Sequence, residues 1–364
     1  MTTVAMDVRI LSQQSQPTGI AQYIACLLAE HLRDCGEITL YGLSYTDSII
    51  KDVQVPITVI RRRKGIPWQS ILLPWHLRVH SYDVFHGPAF SLPPWGSIPK
   101  IVTIHDTVFY RMPEFVRTDT VKYLKRMLPR SFTEASRIIV PSREVQSDVL
   151  KMAPWFPQTH VPVISLGADR LKDLIADPHS PRVVDVPYFL HVGTIEPRKN
   201  LEFLLKVFAQ VIEMAKVPHH LVLVGANGWN NERFWRSYEQ FAYKDRVHIL
   251  GYVSDEDTVK LYHGASVYLA PSHYEGFGLG SFEALWQGCP VISSPTGGAS
   301  DHHILGLYVL NAQEGEKNDV EAWAAKILEL LAHPIEIDRT LLPTWENTYR
   351  QHASLYHEVA HGRK

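Results

Sequence analysis

The sequence predicts an α/β protein made of two doubly wound halves that face each other across a cleft. Short apolar runs that end at polar or glycine-containing loops recur along the chain, and most are followed by a helical pattern. This alternation is typical of parallel strands joined by crossover helices. The series begins near residue 4 and again near residue 188, and 364 residues are enough for two domains.

Three apolar runs predict strands in the first half, at residues 4–11, 101–104 and 138–142. The last run ends at Ser142, which is expected to be the N-cap of the next helix. Another helix is expected over residues 21–32, and the turn before it contains Gly19. A residue without a side chain would let the backbone approach a ligand closely there, and a plain turn glycine is the alternative.

His105 and Asp106 follow the predicted strand at 101–104. In open α/β sheets ligands bind at the carboxyl ends of the strands, so a role in the site is expected for His105. A histidine that only satisfies hydrogen bonds at a strand end is the alternative. The first half lacks the G-x-G-x-x-G spacing, which disfavours a nicotinamide dehydrogenase.

The second half begins again with a strand, and its apolar runs lie at residues 188–192, 221–224, 247–250, 267–270 and 290–293. The preceding residues, 169–187, are polar and contain prolines, which predicts a linker. The two domains are therefore expected to cover residues 1–170 and 171–344.

The stretch from 271 to 301 carries the most chemistry. Glu275 lies in a glycine-rich loop, and Glu283 follows eight residues later in a short helix predicted at 281–287. A helix that begins after a glycine loop directs unpaired N–H groups toward an anion such as phosphate. Carboxylates beside a phosphate can accept hydrogen bonds from sugar hydroxyls, and the combination indicates a sugar nucleotide. Solvated surface acids are the alternative for both glutamates.

Arg198 and Lys199 stand just before a helix that is expected to begin at Leu201. Their positive charge would lie where a diphosphate binds, because arginine pairs with phosphate through two N–H groups and lysine acts as a point charge. Ordinary surface basic residues are the alternative.

The order of these motifs is specific. E-G-F-G-L begins at Glu275, E-A at Glu283 and G-C-P-V-I at Gly288, after a G-T-I-E-P-R-K-N run from Gly193. The series resembles the E-x7-E signature of retaining glycosyltransferase family 4, and the G-T-I-E-P-R-K-N run resembles bacterial polysaccharide mannosyltransferases. The resemblance implies the GT-B fold, with two Rossmann-like domains. The C-terminal helix, within residues 345–364, would cross back onto the first domain.

The resemblance also implies a role for each candidate residue. The catalytic set would be His105 near the donor sugar, Arg198 and Lys199 at the leaving diphosphate, and Glu275 at the sugar hydroxyls. Glu283 would bind the ribose. The other expected donor-binding residues are Gly19, Asp106, Gly225, Tyr252, Val253, Gly276, Phe277, Gly278 and Leu279.

The implied reaction moves a hexose, mannose from GDP-mannose, onto a glycan or lipid-linked saccharide in bacterial polysaccharide biosynthesis. It would retain the anomeric configuration and use neither cofactor nor metal. Alternatives are a UDP-hexose or dTDP-rhamnose donor, a sugar-nucleotide epimerase of the same fold, and a non-catalytic sugar-nucleotide-binding subunit. Asp255 and Asp257 resemble a metal-binding D-x-D motif, but acids at a helix start explain them.

Composition narrows the class of protein. The first 170 residues carry 19 basic and 14 acidic side chains, and the remaining residues carry 17 basic and 24 acidic ones. This weak separation of charge, together with the lack of a recognition motif, disfavours nucleic-acid binding. Cys26, Cys35 and Cys289 show no C-x-x-C spacing, which is typical of a reduced cytoplasmic protein. The basic and aromatic segments at 61–78 and 117–130 predict peripheral contact with the inner membrane surface, and solvated charge is the alternative.

Overall fold

The computed structural model describes residues 1–12, 19–34, 36–46, 55–60, 67–174, 183–313 and 317–362. These residues form two compact units. Unit 1 contains residues 1–167 together with 343–364, and unit 2 contains residues 168–342. The division falls three residues before the one expected from the sequence, so Arg170 belongs to unit 2.

Unit 1 is built on a six-stranded parallel sheet. Its strands are β1 (Thr2–Asp7), β2 (Ile38–Ser44), β3 (Ile57–Val59), β4 (Val84–Gly87), β5 (Lys100–Thr103) and β6 (Arg137–Ile139). Its helices are α1 (Gly19–Arg33), α2 (Leu73–Val79), α3 (Val108–Arg111), α4 (Thr118–Glu134) and α5 (Arg143–Met152). The spatial order β3-β2-β1-β4-β5-β6 is that of doubly wound nucleotide-binding domains.

The first strand is shorter than the sequence pattern predicted. It ends at Asp7, and residues Arg9–Ser12 form a 3-10 turn. Local hydrogen bonds account for this ending, because the Arg9 N–H donates to Asp7 Oδ1 at 3.1 Å and Leu11 N–H donates to the Val8 carbonyl at 3.1 Å. The prediction of Ser142 as an N-cap is confirmed, since its side chain accepts a hydrogen bond from Val145 N–H at the start of α5.

Unit 2 repeats the same topology with a second six-stranded parallel sheet. Its strands are β7 (Tyr188–Val192), β8 (His220–Val224), β9 (Val247–Gly251), β10 (Val267–Ala270), β11 (Val291–Ser293) and β12 (Leu307–Val309). Its helices are α6 (Leu201–Ala215), α7 (Glu232–Glu239), α8 (Asp255–Gly264), α9 (Leu279–Trp286), α10 (Gly298–Asp301) and α11 (Lys317–Ala332). The spatial order is β12-β11-β10-β7-β8-β9.

The C-terminal helix α12 (Trp345–His361) belongs to unit 1, as the family resemblance implied. It packs against α1, β1 and β4. The close approach depends on Gly167, where an added Cβ would lie 2.2 Å from the Trp345 backbone nitrogen. Among the described helices, none is long and apolar enough to cross a membrane.

The strand order of unit 2 determines where its site can form. β7 and β10 are neighbours although they are distant in sequence, so their loops leave the carboxyl edge of the sheet side by side. The chain turns in opposite directions on either side of this pair, which makes it the switch point where doubly wound sheets bind ligands. The loops after β7 and β10 contain Arg198, Lys199 and Glu275.

Candidate active site

Asn200 holds the loop after β7 against the loop after β10. Its backbone is left-handed, with φ 54°, and it lies between the 3-10 turn Pro197–Lys199 and α6. Its buried amide donates to the Pro271 carbonyl at 3.1 Å and to the Ala312 carbonyl at 2.9 Å. Asn200 ends the G-T-I-E-P-R-K-N run, but no role was predicted for it; an asparagine at a strand-to-helix turn, where the left-handed backbone is tolerated, was the available signal.

Glu275 lies between the two predicted cations. Its carboxylate accepts hydrogen bonds from Arg198 Nη1 at 2.7 Å and Lys199 Nζ at 2.6 Å. Ser272 Oγ donates to the same carboxylate at 2.7 Å. Burial raises the pKa of Glu275, but the charges of Arg198 and Lys199 outweigh it and hold the pKa well below its usual range. Glu275 is therefore a carboxylate at any physiological pH.

The cations at this cluster are already paired with carboxylates. Arg198 also donates to Glu196 through Nε at 3.0 Å and Nη2 at 2.6 Å, and to the Tyr274 carbonyl at 3.0 Å. Lys199 has three N–H donors, of which Glu275 takes one. A bound phosphate would share these cations with the carboxylates. Glu196 is therefore a further member of the cluster, for which the sequence predicted no role.

His191 on β7 contacts β10 and the loop after β7. Its Nδ1 donates to the Leu269 carbonyl at 2.8 Å, which leaves Nε2 as a lone-pair acceptor. Among the described residues that buried Nε2 has no hydrogen-bond partner. Burial, followed by the charge of Lys199, lowers the pKa of His191 to about 4. A Cβ built on Gly193 would lie 3.1 Å from Nε2 and 3.0 Å from Lys199 Cε, so both side chains line the backbone of Gly193.

Two glycines bring the loops close together. Gly225 after β8 has φ +140°, and a Cβ there would lie 2.1 Å from the Gly193 carbonyl oxygen. Gly297 after β11 has φ +54°, and a Cβ there would lie 2.8 Å from the Glu275 carbonyl oxygen. Both contacts are with backbone, so a larger residue would displace the loop that carries Glu275 or the loop that precedes Arg198.

The glycine-rich loop leads from Glu275 into α9. Gly276 follows Glu275, and Phe277 is buried with its ring stacked on Phe282 at 4.6 Å. Gly278 has φ +89° and precedes Leu279, the first residue of α9. The helix therefore begins two residues before the start predicted from the sequence.

Glu283 lies in α9 with its carboxylate buried. Arg170 Nε contacts one oxygen at 3.3 Å, and Tyr262 Oη contacts the other at 3.4 Å. Burial raises the pKa of Glu283, and the charge of Arg170 opposes that rise. Arg170, which the sequence analysis placed in a linker within the first domain, therefore contacts a candidate site residue of unit 2.

Tyr252 and Val253 follow β9 and lie near the other loops of this edge through the backbone. Gly225 N–H donates to the Gly251 carbonyl at 2.8 Å, which joins the loop after β8 to the loop after β9. The Tyr252 side chain is exposed and that of Val253 is half-buried. Most candidate residues of unit 2 thus lie in the loops at one edge of its sheet, and Glu283 lies in the middle of α9.

In unit 1, His105 follows β5 and its ring has a defined tautomer. Nε2 donates to the Pro88 carbonyl at 2.7 Å, so Nδ1 carries the lone pair. Burial lowers the pKa of His105 to about 4, which makes the imidazole neutral near pH 7. Asp106 accepts a hydrogen bond from Val108 N–H at 3.3 Å, at the start of α3. Gly19 begins α1, and an added Cβ there would meet none of the described atoms within 4 Å.

A directed hydrogen-bond chain connects α12 to the ring beside His105. His352 Nδ1 donates to the Thr348 carbonyl at 2.7 Å, so His352 Nε2 must accept from Tyr23 Oη at 2.7 Å. Tyr23 Oη in turn accepts from Thr103 Oγ1 at 3.0 Å, and the Tyr23 ring meets His105 edge-on at 4.7 Å. The C-terminal helix therefore fixes the ring that packs against His105, a connection that the sequence did not indicate.

The electrostatics of Glu275 predict a pH dependence of stability. Because its folded pKa lies below the unfolded value, its stabilising contribution is complete above about pH 4.5 and declines as the pH falls below that value. We expect Glu275→Gln to lower the melting temperature at pH 7 and the difference from wild type to shrink toward pH 3. Thermal unfolding across this range measures the gap. Glu321→Gln serves as the control, because the Glu321 side chain is 46% exposed and lies 3.4 Å from Lys317. A difference in melting temperature between Glu275→Gln and wild type that does not change with pH would contradict the depressed pKa of Glu275.

Comparisons with known proteins cover both units. A family model described as Glycosyl transferases group 1 matches residues 176–341, and one described as Glycosyltransferase Family 4 matches residues 17–170. O-antigen chain mannosyltransferase B of Escherichia coli is 32% identical over 267 residues, which are 71% of this chain and 67% of that protein.

Solved structures match nearly the whole chain. Sucrose-phosphate synthase from Thermosynechococcus elongatus superposes with a TM-score of 0.66 at 20% identity, over 99% of this chain and 96% of that one. HepE of Anabaena in complex with UDP gives a TM-score of 0.65 at 17% identity, with 99% and 96% coverage. At these identities the likeness concerns the fold alone.

Proposed function

Because this chain belongs to glycosyltransferase family 4 and has the GT-B fold, we propose that it transfers mannose from GDP-mannose. The acceptor would be a glycan or lipid-linked saccharide in bacterial polysaccharide biosynthesis. The mannosyltransferase relative at 32% identity supports the sugar. The observation that carries the proposal is the contact of the Glu275 carboxylate with Arg198 and Lys199 at the switch point of unit 2.

This cluster suits a reaction in which a diphosphate leaves. The bond between the anomeric carbon and the diphosphate breaks, negative charge grows on the phosphate oxygen, and Arg198 and Lys199 would stabilise that charge. Glu275 would accept hydrogen bonds from the sugar hydroxyls, and Glu283 from those of the ribose. The loop residues from Gly276 to Leu279 would hold the donor beside them.

We propose that the new bond keeps the donor's anomeric configuration. An inverting enzyme needs a protein base at the acceptor hydroxyl, and His105, with a pKa of about 4, is a weak one. In a retaining reaction the departing phosphate oxygen can take the acceptor's proton while the acceptor oxygen bonds to the anomeric carbon. His105 would then contact the donor sugar, and His105→Ala should weaken transfer without abolishing it.

We also propose that no metal takes part, since protein cations would supply the charge. Asp255, the first acid of the D-x-D-like run, contacts Arg170 at 2.6 Å, and Asp257 lies 3.8 Å from Lys260. Both acids lie in the first turn of α8 and are engaged by basic side chains.

A donor screen followed by product analysis tests the proposed function. Thermal stabilisation by GDP-mannose is expected, because a ligand that binds the folded state stabilises it by mass action. Stabilisation by UDP-glucose or dTDP-rhamnose, but not by GDP-mannose, would show that the proposed donor is wrong. Anomeric coupling constants of the product, read by NMR, decide retention, and a β product from GDP-mannose would contradict it. Turnover without acceptor would indicate an epimerase, and donor binding without transfer to any acceptor a non-catalytic subunit.

Peripheral membrane contact through unit 1 is a further expectation. Ile71, Trp75 and Val79 are 60%, 58% and 52% exposed on the segment that ends in α2. The exposed basic residues of α4 are Lys122, Lys125, Arg126 and Arg130. The predicted basic run at 61–64 lies outside the described residues. Each basic side chain near an anionic leaflet contributes about 1 kcal/mol.

We therefore expect this protein to sediment with phosphatidylglycerol vesicles at low salt and to be released as salt rises. Replacing the four basic residues of α4 with glutamine should abolish sedimentation. A matched variant replaces four exposed basic residues of unit 2, Lys206, Lys216, Arg233 and Lys317, and should still bind. Equal binding by wild type and the α4 variant would refute membrane contact through this face.

A further inference from the structure

The Glu283 carboxylate is buried and incompletely satisfied by its protein contacts. Its side chain is 9% exposed, yet the Arg170 Nε contact is 3.3 Å and the Tyr262 Oη contact is 3.4 Å. Both exceed the usual 2.9–3.0 Å for N–H···O and 2.7–2.8 Å for O–H···O bonds. A carboxylate offers about four acceptor positions, so Glu283 keeps capacity for two further hydroxyl donors.

Arg170 itself is held firmly from its other end. Its Nη1 donates to Asp255 Oδ2 at 2.6 Å and its Nη2 contacts Asp255 Oδ1 at 3.2 Å, a two-pronged pairing that fixes the plane of the guanidinium. The Arg170 side chain is 16% exposed. Asp255 lies in the first turn of α8 after the N-cap Ser254, so the chain Asp255–Arg170–Glu283 connects a helix start to α9.

We propose that Arg170, held by Asp255, is a positioning residue that orients the Glu283 carboxylate to receive the two ribose hydroxyls of the donor nucleotide. This inference rests on the proposed binding of a nucleotide sugar. Arg170 Nε contacts one oxygen of the Glu283 carboxylate, and the other oxygen faces Tyr262 Oη. A buried carboxylate without this cation would take up a proton and lose acceptor capacity, because burial disfavours the charged form.

The inference predicts an effect specific to the ribose. A nucleotide without ribose hydroxyls leaves the buried Glu283 carboxylate without its hydrogen-bond donors. We therefore expect 2′,3′-dideoxy-GDP to bind wild type at least about tenfold more weakly than GDP. In Arg170→Gln, GDP should bind about tenfold more weakly while dideoxy-GDP changes little. The preference for ribose should therefore collapse toward unity, whereas a purely structural role would lower both affinities equally.

Isothermal titration calorimetry of the full chain with GDP and with 2′,3′-dideoxy-GDP measures the ratio of the two dissociation constants. Asp255→Asn and Arg170→Lys should reduce this ratio in part, because each variant loses the two-pronged pairing of Arg170 with Asp255. If Arg170→Gln does not fold, these two variants test the proposal in its place. Asp257→Asn is the matched control, since Asp257 lies in the same turn of α8 and pairs with Lys260. This control should keep the wild-type ratio.

The outcomes separate the two proposals. If wild type binds none of GDP, UDP and dTDP, the proposed function fails. If wild type binds GDP with a ribose preference that folded Arg170 and Asp255 variants retain, only the role of Arg170 is overturned. A wild type that binds GDP and dideoxy-GDP equally well would overturn the role of Glu283 and, with it, that of Arg170.

Discussion

Replacing Lys199 with alanine is expected to lower kcat about 100-fold, the scale of losing one preorganised stabiliser of transition-state charge. The reason is the position of Lys199 Nζ, which lies 2.6 Å from Glu275 and carries further N–H donors for a departing phosphate. Glu275 would keep Arg198 as a partner, so the loop should remain in place. The effect should therefore appear in kcat more than in KM.

Steady-state kinetics on purified variants check this expectation. Lys317→Ala removes a lysine whose side chain is 84% exposed on α11, and it should leave kcat unchanged. Arg198→Ala should lower kcat to a similar degree and also destabilise unit 2, because Arg198 donates to Glu196 and to the Tyr274 carbonyl. A near-normal kcat in Lys199→Ala would contradict the role of Lys199 at the leaving diphosphate.

Replacing Gly225 with alanine is expected to damage both stability and activity. The new Cβ would lie 2.1 Å from the Gly193 carbonyl oxygen at a backbone φ of +140°, so the loop after β7 would have to move. Strain and overpacking together should cost roughly 2–4 kcal/mol, which lowers the melting temperature by about 5–10 °C. A displacement of about 1 Å near the reacting groups should lower kcat by about 100-fold.

Gly251→Ala separates the cost of backbone strain from the cost of a steric clash. Gly251 has φ +68°, but an added Cβ would meet none of the described atoms within 4 Å. The left-handed backbone alone should cost about 1 kcal/mol. Melting temperatures and kcat of the two variants, measured side by side, should therefore differ clearly. Equal losses in both would show that the approach of Gly225 to Gly193 does not govern the geometry of the site.

Much of the fold and of the candidate site could be predicted from the sequence because the evidence was local. The strand–loop–helix–strand unit around Glu275 was confirmed as β10, the glycine loop, α9 and β11. Strands that lack a strong apolar run, such as β2, β3 and β4, were missed. Apolar periodicity identifies a buried strand but not its last residue, which is why the end of β1 was predicted four residues too late.

By itself, the sequence determined the doubly wound class, the family and the charged residues that follow β5, β7 and β10, since these depend on short local patterns and on their order along the chain. Only the tertiary structure decided which of those residues meet. Parallel order places β7 beside β10, which brings Lys199 to Glu275 across 76 positions. The same packing joins Arg170 to Glu283 across 113 positions. No local pattern encodes such pairings, because they follow from strand order and helix packing.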